Sequence, residues 1–469
     1  MAIENGTLLP LHSTVRGVDY AGNFSRHNSM QQLAFLFNCK GKIDFPVMRK
    51  ALEEEIKRND ALCVKIKAVD KKTRMQCFVD PSEVALNITE ADFSSKTEED
   101  IEKFLQSEIR KDMQLIDGDF GRFVFIKGPN GKDKMLSIFS HYCVDGFGLF
   151  ITVNDIFNVY LALLGKEEMP KPLSSWRTVL EKELAYTEED AKADYELWKE
   201  AHLKVEPRWF FGDRFNDKKN TNKKLTKYRI CKDPDPSMTG LISLFKDKSA
   251  QDIFSIPSEK VKAMTEYCEK NGISMQNLII MGMRLYMSYI HGGRDYDPLH
   301  IFCNRRAAKA ARSCGGCMLG TVTLLTKITK DMTVAETNAA ISETMVFGYR
   351  HCQIDGINYS NLQSELKWGD FCHYGSSQLS VFGVPEGLFE KINGDFRYLT
   401  SGCSSNDYTM FIPRYDGSLD MYFNYRLWHY DAAQSGYTYE GFCGVIDTIV
   451  NNDTSLKVEE IYKALDKIG

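Results

Sequence analysis

Charge of one sign, long uncharged apolar runs, and nucleotide or metal signatures are all scarce in this chain of 469 residues. Lys and Arg number 59 against 64 Asp and Glu, a formal charge of -5. That balance is too even to draw in a polyanion by electrostatics, so nucleic acid is not expected as a partner. No stretch approaches about 18 uncharged apolar residues, and the opening MAIENGTLLPLHSTV lacks a basic start followed by an apolar core. Neither a transmembrane segment nor export is expected. There is no GxxxxGK and no GxGxxG after a strand, which leaves nucleotide chemistry unsupported. No repeat of about 20 to 50 residues is visible, which argues against a solenoid or propeller. The 13 cysteines are odd in number and lack the paired spacings of a disulfide framework, as expected of reduced thiols in the cytoplasm. Cys314 and Cys317 form a single Cys-x-x-Cys pair without a second at zinc spacing, so no metal is expected.

What is present reads as a soluble globular protein: 43% of residues are apolar and 26% charged, and the length suits two or three compact units. Strand and helix patterns alternate. In QQLAFLFNCKG, Leu33, Phe35 and Phe37 recur with the period of a half-buried strand. Pro46 then opens a helix with Met48, Ala51, Leu52 and Ile56 on one face, and ALCVKIKAV follows as a strand. EEDIEKFLQSEIRKDM reads as an amphipathic helix, and RFVFIK pairs with KMLSIFSH as a hairpin across GPNGKD. A helix is expected from about Leu149 to Leu164, stopped by Gly165. The stretch from 165 to about 255 is more polar. Its run KDKKNTNKKLTK, with Lys218, Lys219, Lys223, Lys224 and Lys227, reads first as a solvated loop and second as a surface for an acidic carrier protein. A boundary near residue 175 divides the chain into units 1–175 and 176–469.

Between the expected strand and helix stands His141-Tyr142-Cys143-Val144-Asp145-Gly146. A strand end fixes the direction of an imidazole, and a helix N-terminus offers N–H groups to developing negative charge. An imidazole that titrates near neutrality suits proton removal from an attacking amine or hydroxyl, and Gly146 would admit substrate close to the backbone. His-x-x-x-Asp occurs twice more, at His291–Asp295 and His351–Asp355. The second follows a helical pattern from Val334 to Tyr349, so its imidazole is expected at a helix end with no strand to aim it. Cys143, a possible nucleophile, reads better as a buried small hydrophobe.

This motif and its surroundings resemble the condensation-domain branch of the chloramphenicol acetyltransferase-like acyltransferases, with their His-His-x-x-x-Asp-Gly core. PVMRKALEEEIKRNDALCVKI resembles that family's first helix and strand, and MQLIDGDFGRFVFIK through SHYCVDGFG resembles the approach to its active-site loop. CEKNGISMQNLIIMGMRLYMSYIHGG, IFCNRR, GGCMLGTVTLLTKI and YFNYRLWHYD resemble its second half in order. Two departures stand out: Ser140 replaces the first histidine, and Leu62-Cys63 replaces a common Leu-Arg.

The resemblance implies an α/β fold of two acetyltransferase-like subdomains, a pseudo-dimer with a central cleft or tunnel. It implies acyl transfer from a thioester to a small amine or alcohol acceptor, giving an amide or ester. The thioester would be phosphopantetheine on an acyl or peptidyl carrier protein, or coenzyme A, consumed as substrate with no tightly bound cofactor. His141 is then the catalytic residue. Asp145 and Gly146 support the loop, and Arg305, with Arg306 as fallback, pairs with Asp145 from the other half. Absence of adenylation or carrier units suggests a stand-alone enzyme. The alternatives are a wax-ester or alcohol acyltransferase using acyl-coenzyme A, and a non-catalytic module that binds carrier proteins.

Overall fold

The computed structural model describes residues 3–22, 27–71, 73–205, 247–290, 292–366, 378–404, 407–427 and 432–468; the lysines at 218 to 227 and His291 lie outside them. Two large sheets carry the fold. The first has five strands in the order Gly394–Leu399, Gln32–Cys39, Lys134–Ser140, Gly121–Lys127 and Asn87–Asp92. The second has six, in the order Leu319–Leu324, Leu299–Asn304, Gln378–Val381, Tyr408–Pro413, Leu419–Arg426 and Ser249–Ile256. Leu9–Pro10, Arg74–Phe78 and Val64–Ala68 make a small third sheet.

The expected hairpin is present, with Gly121–Lys127 antiparallel to Lys134–Ser140. Strand Gln32–Cys39 differs from the expected half-buried strand. Phe35 and Phe37 enter the core beneath helices Phe45–Arg58 and Gly146–Leu163, while Ala34 and Leu36 are equally buried on the other face by Ile101, Leu105 and Ile109. Those three residues come from helix Glu98–Ile109, whose Thr97 and Asp100 form a reciprocal capping box. A strand covered on both faces loses its alternation because every position is apolar. Helix Phe45–Arg58 begins one residue before Pro46, where Asp44 accepts the Val47 N–H at 3.0 Å.

Two segments cross the sequence boundary at residue 175. Trp176, Val179 and Leu180, on helix Trp176–Leu184, pack in the first core. Strand Gly394–Leu399 leaves the second half and pairs antiparallel with Gln32–Cys39, Phe396 opposite Phe37. Helix Gly146–Leu163 is long and apolar enough to cross a membrane by those measures alone; here Leu149, Phe150, Val153, Ile156 and Phe157 are buried in the first core.

The halves meet at three glycines. A Cβ on Gly148 would lie 2.3 Å from the Gly315 carbonyl oxygen, and one on Gly316 would lie 2.2 Å from the Trp176 ring. The start of helix Gly146–Leu163 and the segment around 315–316 therefore touch backbone to backbone, which a side chain on either would prevent. Gly148→Ala should lower stability to denaturant by about 1 to 3 kcal/mol or more, since its clash is with backbone. Gly436→Ala, within helix Ala432–Val450 and with nothing within 4 Å of the new Cβ, should be neutral or stabilising. Equal losses at both sites would contradict the close approach.

Candidate active site

The loop after strand Lys134–Ser140 is built by backbone hydrogen bonds. His141 N donates to the Gln31 carbonyl at 2.9 Å, while the Ser140 carbonyl accepts from Cys143 N at 3.0 Å and Val144 N at 3.3 Å. Ser140 Oγ accepts from Tyr142 N at 3.3 Å, so this serine closes the turn that carries His141. The Tyr142 hydroxyl donates to Asp19, which also meets Arg74, and this ties the loop to helix Ser13–Gly22.

Asp145 is fully buried and caps helix Gly146–Leu163. Its Oδ1 accepts from Gly148 N at 2.7 Å; its Oδ2 accepts from Arg306 Nη1 at 2.9 Å and from Met318 N at 2.6 Å. Burial opposes ionisation, but the Arg306 guanidinium and the N–H donors outweigh it and hold the carboxyl below the usual carboxylate range. A carboxylate so occupied is a poor base.

Three sequence expectations are corrected here. Asp145 meets Arg306, and Arg305 turns the other way, its Nη2 2.6 Å from Glu183 and donating to Thr14 Oγ1 at 2.7 Å. The two arginines follow the end of strand Leu299–Asn304 as consecutive residues that point apart; both touch the first half, and Arg306 is the one that reaches Asp145. Gly146 does not open the backbone to substrate, because a Cβ there would lie 2.5 Å from the Phe382 ring, which already fills the space. Nor is the helix N-terminus wholly open to an oxyanion, since Asp145 takes the Gly148 N–H.

His141 itself keeps part of its surface exposed, unlike Tyr142 to Asp145. Burial pushes its imidazole below the ordinary histidine range; Asp145 and the carbonyls of His141 and Val144 pull the other way. Nδ1 faces the Cys317 sulfur at 3.7 Å. Of the two ring nitrogens, chain geometry lets only Nδ1 approach the residue's own carbonyl, and a proton held there would leave Nε2 as the basic nitrogen. Cys143 is buried, its sulfur directed at the Val64 carbonyl at 3.7 Å and its thiol pushed up to about 12 by burial, which fits the inert reading.

The second motif lies elsewhere. His351 ends helix Val334–His351, as its sequence context predicts, and its Nδ1 is 2.7 Å from Asp194 Oδ1. Asp355 resembles Asp145: it accepts from Ile357 N at 2.9 Å and Asn358 N at 2.8 Å at the start of helix Gly356–Glu365, and it pairs with Arg16 at 2.6 Å. The sequence reading passed over His12, whose ring lies against the same interface and hydrogen-bonds the Cys317 carbonyl. A lone histidine in a short irregular segment carries no periodic signal that could have singled it out.

The fold that holds this geometry has counterparts among known proteins. A family model described as Condensation domain matches residues 7–370. The chain belongs to the condensation domain family. Members are acyl and peptidyl transferases that form amide bonds. Over 332 residues, 69% of the chain, it is 23% identical to surfactin synthase subunit 1 of Bacillus subtilis (strain 168), and over 159 residues, 34% of the chain, 24% identical to a plipastatin synthase protein of the same organism. The matches span 8% and 6% of those relatives, so the chain corresponds to a small part of their length. Solved structures of the same fold include the starter condensation domain of rhizomide synthetase in complex with C8-CoA, with a TM-score of 0.75 at 14% identity, covering 97% of each chain. The condensation domain of the monacolin K polyketide synthase superposes with a TM-score of 0.74 at 12% identity, covering 97% of this chain and 100% of its own. The two-subdomain acetyltransferase-like fold expected from the sequence is thus the fold observed.

If Asp145 and Arg306 are one unit, Asp145→Ala and Arg306→Ala should be strongly coupled in a double-mutant cycle of unfolding free energies, by about 2 kcal/mol or more. Asp145→Ala with Arg305→Ala should be additive to within about 0.5 kcal/mol. The reverse pattern would restore the Arg305 assignment.

Proposed function

We propose that this condensation domain transfers an acyl or aminoacyl group from a thioester to an amine or hydroxyl, with His141 as the group that moves the proton. The thioester is carried on the phosphopantetheine of a carrier protein or on coenzyme A and is consumed as substrate. One observation carries the reading. Asp145 is neutralised by Arg306 and two N–H groups, while His141, half-buried and uncharged, is left as the group of the motif with proton-accepting capacity.

The acceptor nitrogen or oxygen attacks the thioester carbonyl while His141 Nε2 takes its proton; the carbon–sulfur bond then breaks and the proton passes to the departing thiolate. No net redox change occurs, and the step needs only orientation and one proton relay. The described cysteines are free thiols, which supports a reducing, cytoplasmic setting for the protein.

His141→Ala should slow single-turnover acyl transfer on the order of 100-fold or more in a folded protein. His351→Ala, at the matched motif, should keep most of the activity, with any loss tracking stability. Loss of turnover in His351→Ala with a tolerated His141→Ala would move the site to the second half. Because burial lowers the His141 pKa from 6.5, its basic form persists further into acid, so the acid limb of kcat/KM should have its midpoint below 6.5. A limb at or above that value, or one retained in His141→Ala, would take His141 out of the chemistry.

A further inference from the structure

His12 stands between the short strand Leu9–Pro10 and helix Ser13–Gly22, and it is buried. Its Nε2 lies 2.9 Å from the Cys317 carbonyl oxygen. A carbonyl only accepts, so the proton of this ring is on Nε2, and the bare Nδ1 faces the Gln76 side-chain amide at 3.4 Å. Gln76 Nε2 is itself anchored by donating to the Pro10 carbonyl at 2.7 Å. The Trp176 ring closes one side edge-on, with centroids 5.4 Å apart. Burial, reinforced by the nearby Arg305 and Arg16, pushes the imidazole down to about 4, so it is neutral across the physiological range.

The single N–H of His12 is thus committed to one carbonyl. The peptide unit bearing that carbonyl also carries the Met318 N–H, which donates to Asp145 Oδ2 at 2.6 Å. One peptide between Cys317 and Met318 is therefore held at its oxygen by His12 and at its nitrogen by Asp145. The side chain of Cys317 projects from it to place sulfur 3.7 Å from His141 Nδ1. Either grip alone would let the peptide swing about the other; together they fix the wall against which the His141 ring rests.

We propose that His12 is a positioning residue for acyl transfer: by holding the Cys317 carbonyl opposite the Asp145 grip, it sets the orientation of the His141 imidazole. This rests on the reading of His141 as the proton-moving group. The ring of His141 is faced by the Cys317 thiol and the Asp145 carboxylate, and neither is removed by changing His12.

Two amide substitutions separate positioning from mere support of the fold. His12→Gln carries an N–H near the original Nε2, whereas His12→Asn is one bond shorter and cannot reach the carbonyl. His12→Gln should keep kcat within about threefold, while His12→Asn should lower it about 10- to 100-fold with KM within about twofold, the penalty of a misplaced reacting group. A titration of His141 followed by NMR on the full chain needs no turnover. Its midpoint should stay with the unmodified protein in His12→Gln and rise toward the ordinary histidine value in His12→Asn, as water enters beside a loosened wall. Unchanged kcat and titration in folded His12→Asn would overturn the proposal. So would activity falling only in step with stability while the titration stays put. If the unmodified protein transferred no acyl group, the acyltransferase reading would fall, and the titration comparison would still decide the role of His12.

Discussion

The buried contact between Asp145 and Arg306 is the constraint on which the rest of the site depends. Two charges withdrawn from water cost several kcal/mol each, and their attraction offsets this only with good geometry and further hydrogen bonds, of which the buried Arg306 Nε lacks one. Here Asp145 accepts from Gly148, Met318 and Arg306, while Arg306 also reaches the Gly316 carbonyl. Such an arrangement tolerates one relative position of the two halves, which is its value: it converts a pair of sheets into a single site. The contact is possible because Gly148, Gly315 and Gly316 let two backbones approach.

A division of labour follows. In His-x-x-x-Asp-Gly the aspartate is a helix cap and a cross-half anchor, and the chain uses this device twice: Asp145 with Arg306, and Asp355 with Arg16. What differs is the histidine. His141 leaves a strand, whereas His351, also partly exposed, ends a helix and is hydrogen-bonded to Asp194. The same six-residue pattern gives a candidate catalytic loop in one half and a structural joint in the other.

Much of this was legible in the sequence because it is local. The hairpin leading to His141, the helix that Asp145 caps and the helical setting of His351 all come from short-range periodicity and turn chemistry. Choosing between Arg305 and Arg306 requires the side-chain direction beyond the end of a strand, where alternation no longer binds the chain. Strand Gly394–Leu399, which joins the first sheet from far along the sequence, and the Phe382 ring over Gly146 are tertiary facts with no local signature. His12 is of the same kind: its meaning lies in a carbonyl 305 residues away.

Acyl transfer is tested most directly by intact-mass analysis of the full chain with acyl-loaded carrier proteins, coenzyme A thioesters and a mixed pool of amines and alcohols. The account predicts that a thioester is discharged and its acyl mass reappears on an amine or alcohol, at a rate that collapses in His141→Ala. Discharge from coenzyme A onto alcohols alone would favour an alcohol acyltransferase. A folded protein that binds acyl-loaded carrier yet discharges no thioester onto any acceptor would contradict the account and leave a binding module.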